Sequence, residues 1–241
     1  MQLPVKDLLQ SLDDALQPRR PAPGFATRPV EIAKPVVLPP WFIDRCRRAY
    51  LSVPFEGDSR VVGITSSFRG EGRSSVAIGI ATALAADTRE QTLLLECDVE
   101  RPSFCDFFGL VNGRGLSEWL DGTAPLAMVR MPYLPHMLML PAGSPHPDPA
   151  RLLYQMNEFN FVGELKERFR NIVIDLPSML DVAYSSLAAR LPEHLLVVVR
   201  HGMTQIDDLE KLIFLLGNER ISGIVLNGTN FTTPEWLRRL L

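Results

Sequence analysis

The chain is short of cysteine, of long apolar runs and of any excess of one charge, and each shortage disfavours a class of function. Cys46, Cys97 and Cys105 are odd in number and show neither CxxC nor metal-ligand spacing. A disulfide scaffold and a zinc module are therefore disfavoured, and a reducing compartment is expected. The longest wholly apolar runs, such as residues 195–199, fall far short of the ~20 residues that a membrane span needs. The opening MQLPVKDLLQ has no basic-then-apolar leader, so a cytoplasmic protein is expected. The 25 basic and 28 acidic residues leave a formal net charge of −3, which gives no electrostatic case for nucleic acid or anionic lipid.

What is present is the material of a sizeable core. The 241 residues are 46% hydrophobic and 22% charged, which suits one large domain or one domain with an appendage. Pro4, Pro18, Pro21, Pro23, Pro29, Pro35, Pro39 and Pro40 crowd the first forty positions, a density hostile to helix interiors and sheet ladders alike. Residues 1–40 read as an N-terminal arm whose stretch 18–40 is an extended linker. Ahead of the linker, Val5, Leu8, Leu9, Leu12 and Leu16 recur at helical spacing, as either a docking motif or a flap packed on its own domain. From Trp41 the pattern becomes dense. Apolar runs at 61–65, 92–95, 137–140, 172–174, 195–199 and 221–226 alternate with helix-like stretches at 74–86, 150–168 and 205–216. Near-continuous apolar strands alternating with helices predict a doubly wound, mainly parallel α/β sheet covered on both faces over residues 41–241.

The run VVGIT leads into Ser66, Ser67, Phe68, Arg69, Gly70, Glu71, Gly72, Arg73, Ser74 and Ser75, followed by a helix. In such a turn, glycines let backbone N–H groups close on phosphate oxygens, and the helix N-terminus adds its positive dipole end. Against the pattern G-x-x-x-x-G-K-S/T, Ser67 replaces the first glycine and Arg73 the lysine, while Gly72 and Ser74 conform. Alone, this segment suits any strand-to-helix turn. Two later segments favour a nucleotide. Glu96 and Asp98 follow the second strong strand, and the strand NIVID ends on Asp175, at the sheet edge where ligands of open α/β folds bind. The Ser74 hydroxyl with the Asp98 and Asp175 carboxylates would supply hard oxygen ligands for Mg²⁺.

The order TSSFRGEGRSSVAIGIATALA, LLLECDVERPSFCDFFGL, GLSEWLDGTAPL, LPAGSPHPDPARLL, NIVIDLPSML and GIVLNG resembles the bacterial tyrosine autokinases, members of the deviant P-loop ATPases that also include division-site and partition proteins. The resemblance covers about residues 41–228. Its most specific pieces are DxxRPS with the trailing FFGL, and the LPAG segment. It implies ATP or ADP with Mg²⁺ as cofactors. It also implies self-association, and a membrane chain-length regulator of capsule or exopolysaccharide export as partner, recruiting the protein to the inner face of the membrane. The implied phosphate loop is Ser67 to Ser75, with Arg73 in the family lysine's place and Ser74 in that of the Mg²⁺-binding hydroxyl. Glu96 and Asp98 take the places of the two aspartates of an Asp-x-Asp signature, the first near the incoming tyrosine hydroxyl. Asp175 is the Walker B aspartate, and Asn227 matches an asparagine that contacts adenine.

Several positions depart from the family pattern. Arg73, Glu96 and Asp98 are the implied catalytic residues, and two of the three differ from the family's own. Arg69 replaces a proline, Tyr184 stands where another aspartate is common, and the tyrosine-rich tail is replaced by TNFTTPEWLRRLL. Asp44, Arg47 and Tyr50 stand where the family carries the E-x-x-R-x-x-R helix of ring-like association; a solvated basic face is the plainer alternative. The expectation is an ATP-binding, kinase-like regulator of polysaccharide export with weak or no kinase activity, docking through the face around Phe104, Phe107 and Phe108. The alternatives are an active kinase acting on another protein and a partition-type ATPase switch.

Overall fold

The computed structural model describes residues 26–28, 37–54, 57–110 and 113–229. The expected helix over 5–16, most of the linker and the closing 236–241 segment lie outside the described residues.

Among the described residues, eight strands form one sheet: β1 (Ala26–Arg28), β2 (Arg60–Ser66), β3 (Thr92–Glu96), β4 (Ala127–Arg130), β5 (Met137–Leu140), β6 (Asn171–Asp175), β7 (His194–Arg200) and β8 (Ile221–Asn227). Their order is β1-β4-β5-β3-β6-β2-β7-β8. All neighbouring pairs are parallel except β4 with β5. The six expected apolar runs are strands β2, β3, β5, β6, β7 and β8. The two strands that carry no strong apolar run, β1 and β4, extend the sheet beyond β5.

The continuous apolar runs exist because both faces of the sheet are covered. Leu93 and Leu95 point into one core with Ile172, Ile174, Leu195 and Val197. Leu94, Val173, Leu196 and Val198 point into the other, as the two-residue period of a strand requires. At Gly63 in β2, a Cβ would meet Pro192 at 2.5 Å and Leu176 at 2.7 Å, so only glycine lets the chain after β6 lie so close.

Among the described residues, eight helices surround the sheet: α1 (Pro40–Leu51), α2 (Arg73–Thr88), α3 (Phe104–Phe108), α4 (Leu116–Leu120), α5 (Pro149–Glu158), α6 (Phe161–Lys166), α7 (Ser185–Ala188) and α8 (Ile206–Leu216). The stretch expected as one helix over 150–168 is broken at Asn160, whose φ of +48° is left-handed, a conformation Asn tolerates better than most residues. Helix α2 is apolar nearly all round, with Val76, Ala77, Ile78, Ile80, Ala81 and Leu84 all buried, because it lies between the sheet and α1. There Arg47 donates to both oxygens of Asp87 at 2.6 and 2.8 Å, and the Tyr50 hydroxyl donates to the same carboxylate at 2.8 Å. Arg47 and Tyr50 therefore tie α1 to α2 of the same chain, while Arg45 and Arg48 stay exposed.

Candidate functional site

The strand order β3-β6-β2-β7 brings four carboxyl ends side by side, and every site residue read from the sequence lies at that edge. Residues 67–72 cross from β2 to the N-terminus of α2. Gly72 caps α2 with φ +96°, and a Cβ on it would meet Asn227 Nδ2 at 2.1 Å; both demands require glycine. The loop is braced from β7 and β8. Asn227 Nδ2 donates to the Glu71 carbonyl at 2.9 Å while its Oδ1 accepts from Gly228 N–H at 2.9 Å. Arg200 donates to the Gly70 carbonyl at 2.7 Å. Glu71 is buried inside the loop, accepting from Phe68 N–H at 3.0 Å and from the Thr204 hydroxyl. Asn227 thus holds the 67–72 loop in shape. Arg200 and Thr204 carried no sequence signal; they reach the loop only because β7 lies beside β2.

Three buried carboxylates stand beyond the loop. Glu96 and Asp175 are register partners across β3 and β6, 0% and 1% exposed. Glu96 Oε1 accepts from Ser103 N–H (2.5 Å), Ser103 Oγ (3.1 Å) and Phe104 N–H (2.9 Å), and Oε2 accepts from Ala142 N–H at 3.0 Å. The carboxylate therefore sews the start of α3 and the LPAG segment onto the end of β3. Sequence resemblance put Glu96 beside an incoming hydroxyl; in the structure its hydrogen-bonding capacity is taken up by the chain. Burial pushes its carboxyl above the ordinary range, against the pull of those donors.

Asp175 differs. The Ser74 hydroxyl holds it, but Oδ1 is buried without a partner, and desolvation raises its carboxyl to about 7 despite the nearby positive charge of Arg73. Asp98 Oδ2 accepts from Arg73 Nη2 at 3.1 Å, and its Oδ1 accepts from Arg101 N–H at 3.2 Å. Arg73 Nη1, Ser67 Oγ and Ser178 Oγ are likewise buried without partners. Ser178 was not singled out from the sequence, although it lies three residues past the β6 aspartate.

Over the crevice, Arg69 Nη2 donates to Glu100 Oε2 at 2.6 Å and Tyr184 OH donates to the same oxygen at 3.1 Å. The Arg69 hydrogen bond holds the Glu100 carboxyl below its usual range. Two of the positions that depart from the family pattern, Arg69 and Tyr184, thus meet each other through one glutamate. Cys97 is fully buried beneath the site and its thiol is pushed well up by burial. Phe104 and Phe108 are also fully buried, and Phe107 alone of the three is exposed, at 43%; the aromatic docking face expected from the sequence reduces to that one ring. A groove of about 440 Å³ lined by Glu210, Ile213, Phe214, Gly217 and Asn218 lies at the far end of α8, on the opposite edge of the sheet.

A guanidinium with a buried free nitrogen, unpartnered hydroxyls and a helix N-terminus behind a left-handed glycine fit an anionic phosphate chain. They fit Mg²⁺ less well. Of the three groups expected to bind it, Asp98 already has both oxygens engaged by Arg73 and by Arg101 N–H.

No family model matches the chain. The chain is 26% identical over 159 residues to the tyrosine-protein kinase Ptk of Acinetobacter johnsonii and 28% identical over 183 residues to the succinoglycan biosynthesis transport protein ExoP of Rhizobium meliloti. These matches cover 65% and 72% of the chain but only 22% and 23% of those proteins. The tyrosine-protein kinase CpsD of Streptococcus agalactiae is 26% identical over 184 residues, covering 74% of this chain and 79% of CpsD. The crystal structure of the VpsO kinase domain superposes with a TM-score of 0.70 at 27% identity, covering 79% of this chain and 97% of that one. The septum site-determining protein MinD of Pyrococcus horikoshii, solved with Mg-ADP, shares the fold with a TM-score of 0.58 at 20% identity, covering 76% of this chain and 77% of MinD.

Proposed function

Because this chain is a divergent member of the bacterial tyrosine-kinase family of P-loop ATPases, we propose that it is an ATP- or ADP-binding regulator of capsule or exopolysaccharide export with weak or no kinase turnover of its own. The observation that carries the reading is Arg73. Its place at the first turn of α2, 3.1 Å from Asp98 and 10% exposed, keeps a positive charge under the phosphates while changing its shape. A lysine ammonium is a compact point charge, whereas a guanidinium is a wide planar fork. Phosphoryl transfer depends on positioning and electrostatics with little covalent help from the protein, so binding tolerates the exchange better than turnover does.

The chain's own residues have distinct tasks in this reading. The loop from Ser67 to Ser75 wraps the phosphates, Arg73 neutralises them, and Asn227, Arg200 and Glu71 keep the loop in shape. Bound ATP would supply a transferable phosphoryl group. The residue placed to accept a proton from an incoming hydroxyl is Glu96, and its four hydrogen bonds argue against that use. The partner in this reading is a membrane protein of polysaccharide chain-length control, which would bring the chain to the inner face of the membrane.

Purified protein with radiolabelled ATP tests the reading. Retention of label with no phosphotyrosine and little hydrolysis is expected; strong autophosphorylation that is lost in Asp98→Asn overturns it. A pull-down with the cytoplasmic segment of a neighbouring membrane regulator tests the partner. Capture of the chain is expected, and failure of capture removes the export role.

A further inference from the structure

Arg73 lies against two of the three buried carboxylates at the edge of the sheet. It pairs with Asp98 at 3.1 Å, both side chains being at most 10% exposed, and its charge reaches Asp175. Nη1, the other terminal nitrogen of the guanidinium, is buried with no partner. Such a nitrogen is costly unless something accepts from it. Asp98, the carboxylate that a divalent cation would need, is consumed by Arg73 on one oxygen and by Arg101 N–H on the other. A divalent cation brought to Asp98 would meet the guanidinium's positive charge within a few ångströms, where like charges repel strongly in a poorly solvated site.

We infer that Arg73 takes the place of the metal ion, so that this chain binds nucleoside di- or triphosphates without Mg²⁺. The inference rests on the nucleotide-binding reading above. It follows from the donor geometry of arginine: one terminal nitrogen stays on Asp98 while the other turns to a phosphate oxygen. A lysine ammonium at the same place would be a single point charge and would leave Asp98 freer to bind a cation.

The test is calorimetric titration of the full chain with ADP, once in Mg²⁺ and once in EDTA. The expected result is a Kd in EDTA within about threefold of that in Mg²⁺. A weakening of about tenfold or more in EDTA overturns the inference while leaving nucleotide binding intact. Absence of binding in both buffers overturns the nucleotide reading and this inference together. A second readout does not depend on affinity. Mn²⁺ added to the protein–ADP complex should keep the electron paramagnetic resonance signal seen with ADP alone, and a protein-dependent loss of that signal overturns the inference. Arg73→Lys, checked for an unchanged melting curve, should bind ADP at least about tenfold more tightly with Mg²⁺ than with EDTA. Metal-independent binding by that variant shows that the guanidinium is not the cause, and overturns the inference too.

Discussion

The ends of β3 and β6 carry buried carboxylates that face each other in register, and the chain treats them in opposite ways. At the β3 end, Glu96 gathers four donors and serves as the knot that holds α3 and the LPAG segment. At the β6 end, an oxygen of Asp175 is buried without a partner, as are the hydroxyls of Ser67 and Ser178 and one nitrogen of Arg73. Buried polar groups are nearly always hydrogen-bonded, so a cluster that is not marks a place kept for something else. One side of this sheet edge is finished architecture, and the crevice between β2 and β6 is where the proposed phosphate site lies.

The largest effect that sharpens this contrast is expected on the β3 side. Glu96→Ala strips the acceptor from three backbone N–H groups and a hydroxyl, and should cost about 4 kcal/mol in urea unfolding. A loss below about 1 kcal/mol would mean that Glu96 is not the knot described here. On the β6 side, Asp175→Asn should stabilise at alkaline pH. The folded state holds the Asp175 proton up to about 7, whereas an unfolded aspartate releases it near 3.9. The wild-type contribution is therefore full below about pH 4 and is lost as pH rises through about 7. The Asn variant escapes that loss, so its advantage should reach about 4 kcal/mol at pH 8 and vanish towards pH 4, read from melting curves across pH. A constant difference across pH would break the comparison.

Gly72→Ala adds a Cβ at a left-handed φ and 2.1 Å from Asn227 Nδ2, with an expected cost of about 1.5 kcal/mol. Adding Asn227→Ala should recover only part of it, because the backbone strain stays; full recovery would show that the clash alone matters. The smallest effect belongs to Arg69. Its pair with Glu100 is partly exposed, so Arg69→Ala should change stability by about 0.5 kcal/mol or less, as a double-mutant cycle would read.

Much of this edge was legible because its signals are local. A run of apolar residues ending in Asp175, and a Gly72–Arg73–Ser74 turn opening a helix, place the crevice without knowledge of tertiary structure. The register of Glu96 with Asp175 was not legible, nor was the reach of Ala142 N–H, forty-six positions away; parallel pairing leaves no mark on neighbouring residues. Hence Glu96 was read by analogy as reactive and is found fully hydrogen-bonded. Arg47 was similarly opaque, since its partner Asp87 lies on another helix. Phe104 and Phe108 read equally well as surface or core, and only the packing of α3 placed them inside. Strands β1 and β4 escaped because they are short and carry mixed residues at the sheet's outer side.

The pairing of β2 has a consequence for how the protein is made. Both of its neighbours, β6 and β7, contribute only residues from Asn171 onwards, whereas β3 can already pair with β5 through Met137 to Leu140. During synthesis the strand that launches the phosphate loop therefore waits without partners while more than half of the chain is still to come, its run of Val61, Val62 and Ile64 unpaired and open to misassociation. Under the proposed function, nucleotide would give little guidance to the early stages, because the loop gains its contacts from Arg200 and Asn227 only when β7 and β8 have been made. A nascent chain halted before Arg200 would carry the whole 67–75 loop without its contacts to Arg200, Thr204 and Asn227, so, if the loop binds nucleotide as proposed, ligand-dependent protection from protease should emerge late as the chain lengthens.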